Sequence, residues 1–343
     1  MAEPSITSTV TALLAPGKGL LAADESFPSI AKRFQPLHIP STEETRRAYR
    51  EMLFTTPGLN EFISGVILFD ETIRQRIRGD IPVPESLNRL GIVPGIKVDM
   101  GTTALANFPN ERITQGLDGL RERLGEYYKL GARFTKWRAV IPIGEHTPTR
   151  TALETNARAL ALFAALSQEA GLVPIVEPEV LMDGGHTIER CEEVEEATLK
   201  SVFNALIEQR VVLENMILKT GMVLSGMECA QQADDAEVAE RTLRCFRRTV
   251  PVAVPGIVFL SGGQSDVAAT ERLNAICQVP GAPWKITFSY GRALQAPALE
   301  RWKGSAENVA AAQAIHHHRA RCNGLAALGK YSQEVEKAAR QIE

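Results

Sequence analysis

Pro174-Ile-Val-Glu177-Pro-Glu179, followed by Met216-Ile-Leu-Lys219, decides how this chain is read. Each segment sets ionisable side chains directly after a short apolar run. Alternate residues of a strand point to the same side, so Glu177 and Glu179 share a face. Lys219 ends its run as a lone cation. The pattern recurs in Leu20-Leu-Ala-Ala-Asp24, Gly95-Ile-Lys97-Val-Asp99, Arg133-Phe-Thr-Lys136-Trp-Arg138, Phe259-Leu-Ser261-Gly-Gly263 and Thr287-Phe-Ser289-Tyr-Gly291-Arg292. Charge or anion-binding residues at the C-terminal ends of many parallel strands predict an α/β fold, a (β/α)8 TIM barrel with its site at that face.

Working outward, eight strands are expected over 19–24, 63–69, 93–98, 133–138, 172–177, 214–219, 256–261 and 285–289. Helical patterns lie between them. Ser41-Thr-Glu-Glu44 reads as a capping box before Arg46–Phe54. Ala152–Gly171 is rich in Ala and Leu, and Glu189–Arg210 is amphipathic. Asp234–Thr249 opens with acids and closes with arginines, matching the helix dipole. A further helix is expected over about Glu307–Leu328. Strand and helix alternate without a linker-like tract, so residues 1–343 read as one barrel domain with helical additions at both ends and a short tail from about 332.

The composition narrows the function. The chain has 343 residues, 44% of them hydrophobic, and a net charge of −3. With no basic stripe, nucleic acid is not an expected partner, and any phosphate must be held by a local pocket. Five separated cysteines without a CxxC motif read as reduced thiols. Neither a signal-peptide pattern at Met1–Pro16 nor an apolar run long enough to span a bilayer is present, so a cytoplasmic protein with no membrane role is expected.

Lys219 is the candidate nucleophile. A lysine attacks a carbonyl only when neutral, yet its ordinary pKa is ~10.4. Burial and a neighbouring cation both favour the neutral form, and Lys136 and Lys97 end other strands as such cations. Lysines and carboxylates without metal-ligand spacing point to Schiff-base chemistry on a phosphorylated sugar, with no cofactor. Glu177 suits general acid/base work, with Glu179 in support; the alternative is that both form structural ion pairs. Asp24 is placed to orient a lysine or take a substrate proton, with Glu25 pointing away. Ser261-Gly262-Gly263 and Gly291-Arg292 follow the last two strands, where barrels commonly bind phosphate. A second anion site is expected from Ser26, Ser29, Arg33, Arg46 and Lys97. His316-His317-His318 reads as helical positions about a hundred degrees apart, which cannot form one compact metal site.

On these residues the chain resembles the class I fructose-bisphosphate aldolases, from about Pro4 to Tyr331. The resemblance is carried by Lys18-Gly-Leu-Leu-Ala-Ala-Asp-Glu-Ser26, Thr114-Gln-Gly-Leu-Asp-Gly-Leu120, Lys136-Trp-Arg138, Ile143-Gly-Glu-His-Thr-Pro148, Ile175-Val-Glu-Pro-Glu179, Phe259-Leu-Ser-Gly-Gly-Gln-Ser265 and Thr287-Phe-Ser-Tyr-Gly-Arg-Ala-Leu-Gln295. It implies metal-independent, reversible cleavage of fructose 1,6-bisphosphate to dihydroxyacetone phosphate and glyceraldehyde 3-phosphate. Lys219 would form the Schiff base, Glu177 would be the acid/base, Asp24 would handle the proton lost on carbon–carbon cleavage, and Lys136 would assist. Ser261, Gly262, Gly263, Gly291 and Arg292 would hold one phosphate. Arg33, Arg46, Ser26, Ser29, Lys97 and Arg138 would line the rest of the substrate site. A homotetramer is implied as well.

The chain departs from the family pattern in three places. Phe27-Pro28 stiffens and enlarges the first loop. Thr220-Gly221 follows the lysine where the family usually has Pro-Asn, and the glycine is expected to loosen that loop. The C-terminal arm ending in tyrosine is missing, so another proton carrier, Glu177 or water, is expected in place of that tyrosine. The competing readings are an aldolase for another phosphorylated ketose and a catalytically silent relative.

Overall fold

The computed structural model describes residues 5–77 and 79–338. Eight parallel strands close into a barrel: β1 (Gly19–Ala22), β2 (Ile63–Leu68), β3 (Val93–Lys97), β4 (Phe134–Ile141), β5 (Val173–Val180), β6 (Ile217–Thr220), β7 (Gly256–Phe259) and β8 (Lys285–Tyr290). They follow in chain order around the barrel, and β1 closes against β8 with Leu20 opposite Ser289.

The expected strands are all present, but their ends differ. β4 and β5 run past the first charged residue, pairing from Phe134↔Val173 to Ile141↔Val180. A charge ends a strand in a sequence reading because it marks solvent, whereas here the charges lie inside the barrel mouth and the ladder continues past them. β6 begins at Ile217, later than expected, because Leu213–Asn215 forms a 3-10 turn. Asp24 and Ser261 lie beyond the ends of β1 and β7.

Helices return the chain to the bottom of the barrel, and their starts are chemically marked. Thr149, Thr187, Asp234 and Ser265 cap the helices Arg150–Glu169, Ile188–Glu208, Asp235–Thr249 and Asp266–Gln278, each accepting from a backbone N–H three residues on. The expected box at Ser41–Glu44 is displaced by one residue. Thr42 is the cap of Glu43–Phe54 and Thr45 its reciprocal partner, while the Ser41 carbonyl accepts from Arg46. The C-terminal helix spans Val309–Ala326, after a 3-10 turn at Ala306–Asn308. Of the expected tail, 332–338 includes a short helix, Gln333–Lys337, and the last five residues lie outside the described chain.

One cluster fills the barrel: Leu20, Ala22, Ile67, Phe134, Val173, Ile175, Ile217 and Val258, plugged from below by Val10, Leu13 and Leu14 of the N-terminal helix Ile6–Leu13 and its cap. These are the inward residues of their strands. The same parity carries upward from Phe134 to Lys136, from Ile175 to Glu177 and Glu179, and from Ile217 to Lys219. A larger cluster lies between strands and helices. Space inside is made by glycine. A Cβ on Gly95 would lie 2.3 Å from the Phe134 ring, and one on Gly65 2.6 Å from a Leu13 methyl. Gly95→Ala should therefore overpack the barrel and lower stability by about 1–3 kcal/mol. Urea unfolding with an unchanged m-value would check it.

Candidate active site

The inward residues at the tops of the strands meet in a cavity of about 530 Å³. Its floor is the apolar filling just described, so the charges above it are held in a poorly solvated setting. Lys136 is 4% exposed, Glu177 3% and Lys219 4%.

Glu177 is the hinge of the charge pattern. One oxygen lies 3.0 Å from Lys219 Nζ, and the other lies 3.4 Å from Lys136 Nζ. That second oxygen is buried and accepts no hydrogen bond from any described residue. Lys136 also meets Asp24 at 2.7 Å and Asp99 at 3.8 Å. Burial alone would push the Lys136 amine down, but Asp24, Glu177 and Asp99 outweigh it and hold it above the ordinary lysine range. Burial alone would raise the Asp24 carboxyl. The charges of Lys136, Lys219 and Lys97 overcome that and hold it well below the ordinary carboxylate range. Lys219, by contrast, pairs with a single carboxylate among the described residues.

Strand geometry explains the grouping. Lys97 stands opposite Lys136 across the β3–β4 ladder, and Arg138 opposite Glu177 across β4–β5. Lys97 is 2.9 Å from Asp99, two residues along its own chain. Arg138 pairs with Glu179, so the two glutamates differ: Glu177 lies between lysines, whereas Glu179 is taken up by a guanidinium. Glu25 turns from the lysines towards Arg33 and Arg50, although it still borders the cavity.

Ser26, Ser29, Arg33, Lys97, Arg138, Ser261, Gly262, Gly291 and Arg292 line the cavity. Gly263 does not, although it lies behind Arg292, whose Nη2 would be 3.6 Å from a Cβ there. Gly262 and Gly263 both take left-handed φ, +60° and +121°, a turn open to few side chains. One expectation is corrected. Arg46 is not among the cavity-lining residues: it is clamped on Glu71 through two hydrogen bonds and lies 4.6 Å over the Phe27 ring. Phe27, itself edge-on to Phe69, supplies the surface that draws this guanidinium aside. Arg33 lies on the β8 side of the mouth, next to Gly291 and Gln295.

Sequence reasoning missed Lys32 and Thr102, which line the cavity together with Asp99 and Ser289, two strand-end residues to which it gave no role of their own. Asp99 was signalled by its i, i+2 relation to Lys97, and Ser289 by its place at the end of β8. Lys32, within a helix, carried no signal. The Ser289 hydroxyl is buried and has no hydrogen-bond partner among the described residues.

Tyr331 is buried away from the cavity, its hydroxyl donating to Glu336 at 2.8 Å. Gly221, after Lys219, is buried and lies outside the left-handed region. The three histidines diverge. His316 meets the Leu294 carbonyl, His317 packs on Phe62, and His318 meets Cys322 at 3.3 Å. His318 and Cys322 come within 4.8 Å of Glu336, a convergence across helices that tract spacing does not reveal. Glu336 is already shared by Arg319 and Tyr331, so a cation there would compete with a buried guanidinium.

A parallel barrel whose mouth holds two lysines around one carboxylate has the equipment of an enzyme that adds an amine to a carbonyl. Comparison with known proteins narrows this. The family described as fructose-bisphosphate aldolase class-I matches residues 5–343. A probable fructose-bisphosphate aldolase class 1 of Xanthomonas campestris pv. campestris is 58% identical over 96% of this chain and 99% of its own. The fructose-bisphosphate aldolase of Echinococcus multilocularis is 49% identical over 98% and 93%. A solved structure of the Plasmodium falciparum aldolase, in complex with TRAP and a small-molecule inhibitor, superposes with a TM-score of 0.94 at 48% identity over 95% of both chains. The chain belongs to the class I fructose-bisphosphate aldolases, lyases that work through a lysine Schiff base.

The charge lattice has a stability signature. Because the Asp24 carboxyl is depressed in the folded state, its contribution is fully present above its ordinary pKa of ~3.9 and is lost as pH falls through the folded value. Asp24→Asn should cost on the order of 3 kcal/mol at neutral pH, a gap that narrows only below about pH 4. Denaturant unfolding across that range would measure it.

Proposed function

We propose that Lys219 is the amine that joins the ketose, with Glu177 as its proton partner. The observation that carries this is the sharing of Glu177. Its 3.0 Å contact makes it the acceptor for a Lys219 proton, while Lys136, amid three acids, remains the fixed positive charge. Neutral Lys219 adds to the substrate ketone. Glu177 then passes a proton to the carbinolamine hydroxyl, which leaves as water and forms the iminium. Asp24 removes the proton from the hydroxyl beside the scissile carbon–carbon bond. The bonding pair flows into the iminium as an enamine, and the aldehyde departs. Protonation of the enamine, through Glu177 or water, and hydrolysis free Lys219.

Glu179 serves by holding Arg138. In the strand order, β7 and β8 lie across the barrel from β3 and β4. That spacing suits a phosphate at each end of the sugar. One would sit with Ser261, Gly262, Gly291, Arg292 and Arg33, the other with Lys97 and Arg138, and Ser26 and Ser29 at the rim. We further propose a single-domain, cytoplasmic homotetramer. No helix among the described residues is long and apolar enough to cross a membrane. Exposed Ile207 and Val212 offer apolar surface for association. Light scattering giving four times the chain mass would support the tetramer.

Borohydride with fructose 1,6-bisphosphate in EDTA should trap one adduct, on the Lys219 peptide. An adduct on Lys136 would overturn the assignment of roles. Glu177→Gln should lower kcat by about 10²–10⁴-fold, with KM changing much less.

A further inference from the structure

Lys219 points into the barrel, so the next residue, Thr220, points outward and is completely buried behind it. The Thr220 hydroxyl meets two acceptor groups: a carboxylate oxygen of Glu195, on the Ile188–Glu208 helix, and the Pro178 carbonyl at 3.3 Å. A hydroxyl has one hydrogen to give. If Glu195 were ionised, one of these contacts would hold no hydrogen. If Glu195 carries a proton, it donates to Thr220 Oγ1, Thr220 donates to Pro178, and every contact is satisfied.

The surroundings agree with the hydrogen count. Glu195 is 1% exposed and pairs with no cation among the described residues. Facing it are Glu179 from β5, Cys245 from the Asp235–Thr249 helix, and Cys191 from its own helix, with Glu192 of that helix near the same thiols. Both thiols are pushed up by burial and stay neutral, and Glu192 is tied to Arg244 and Arg241. An ionised Glu195 would be a buried charge without compensation, which is expensive. Burial pushes its carboxyl up to about 8, against the Thr220 hydrogen bond and aided by Glu179.

This contact sits where the backbone stops helping. The β5–β6 ladder pairs Ile217↔Ile175 and Leu218↔Val176 and goes no further. Pro178 brings no N–H to extend it. The spacing between Lys219 and Glu177 therefore lies just beyond the last regular rung, and the Thr220–Pro178 bond is the next tie between the strands. On the other side, the Thr220 carbonyl accepts from Leu260 N at 3.0 Å, next to Ser261.

We propose that Glu195 and Thr220 are positioning residues: Glu195, as a neutral carboxylic acid, donates to Thr220, and Thr220 donates to the Pro178 carbonyl, fixing Lys219 against Glu177. The proposal rests on the assignment of Lys219 and Glu177 above. Loss of the Glu195 proton turns the Thr220 hydrogen towards the new carboxylate, leaves Pro178 without it, and slackens the pair.

The test is steady-state cleavage of fructose 1,6-bisphosphate by the full-length enzyme between about pH 6 and about 10, with thermal unfolding as a control for folding. Thr220→Val, which keeps the shape and removes the hydroxyl, should lose roughly tenfold to a hundredfold in kcat, with little change in KM. Thr220→Ser should restore most of it. Glu195→Gln, a neutral donor at all these pH values, should keep kcat near neutrality and lose the part of the alkaline decline centred near pH 8. Should Thr220→Val fail to fold, isotope-edited infrared spectra decide. A protonated-carboxyl band present near neutral pH, lost towards higher pH and absent from Glu195→Gln, supports the relay. Unchanged kcat in folded Thr220→Val, a wild-type alkaline limb in Glu195→Gln, or no such band overturns it. Borohydride trapping on wild-type Lys219 separates these results from failure of the underlying assignment.

Discussion

The site depends on one carboxylate shared between two lysines. Two ammonium groups and several carboxylates packed at the top of a barrel, each nearly without water, would be ruinous singly. Together they form an alternating lattice in which Glu177 joins the Lys219 end to the Lys136–Asp24–Asp99 end. Such a lattice has an asymmetry that chemistry can use. Lys136, surrounded by acids, has every reason to keep its proton. Lys219, at the edge, meets one acid among the described residues. Two residues of the same type thus stand in unlike surroundings, Lys136 among three carboxylates and Lys219 beside one, and the proposed division of roles rests on that difference.

The barrel supplies the precision. Inward side chains stand in layers, and the charged layer rests on one made of Phe134, Ile175 and Ile217. Because side-chain parity is two, a strand that buries its lower inward residue has already chosen which upper residue faces the cavity. Glycines at inward positions of β2 and β3 make room for the N-terminal helix and Phe134, so the floor closes without moving the strands apart.

Much of this was legible in the sequence, and the losses are instructive. The strands, the barrel class and the shared inward face of Glu177 and Glu179 follow from periodicity and from the position of charges after apolar runs. Strand ends did not follow, because a charge at a barrel mouth looks like a charge in solvent; β4 and β5 continue past Arg138 and Glu177 for this reason. Arg46 was misplaced because its fate depends on Phe27 and Glu71, which only tertiary packing sets beside it. Lys32 was unreadable, since a lysine in a short helix gives no hint that the helix borders a cavity. Thr220 was noticed only as a departure; its partner Glu195 lies on a different element, and a contact between side chains of two elements leaves no local trace.

The closure of β1 on β8, with Leu20 beside Ser289, has a consequence for how the chain is made. During synthesis the first strand leaves the ribosome some 270 residues before the strand that must cover its free edge. For most of that interval the nascent sheet is open on one side, with the apolar inward residues of β1 and the plugging helix unsealed. Such an edge invites pairing with another chain. The molecule limits this exposure by geometry: β1 is only four residues long, and its other edge can pair with β2 as soon as residues 63–68 emerge. A short opening strand is thus a safeguard in time, keeping the unfinished barrel from finding the wrong partner before its own last strand arrives.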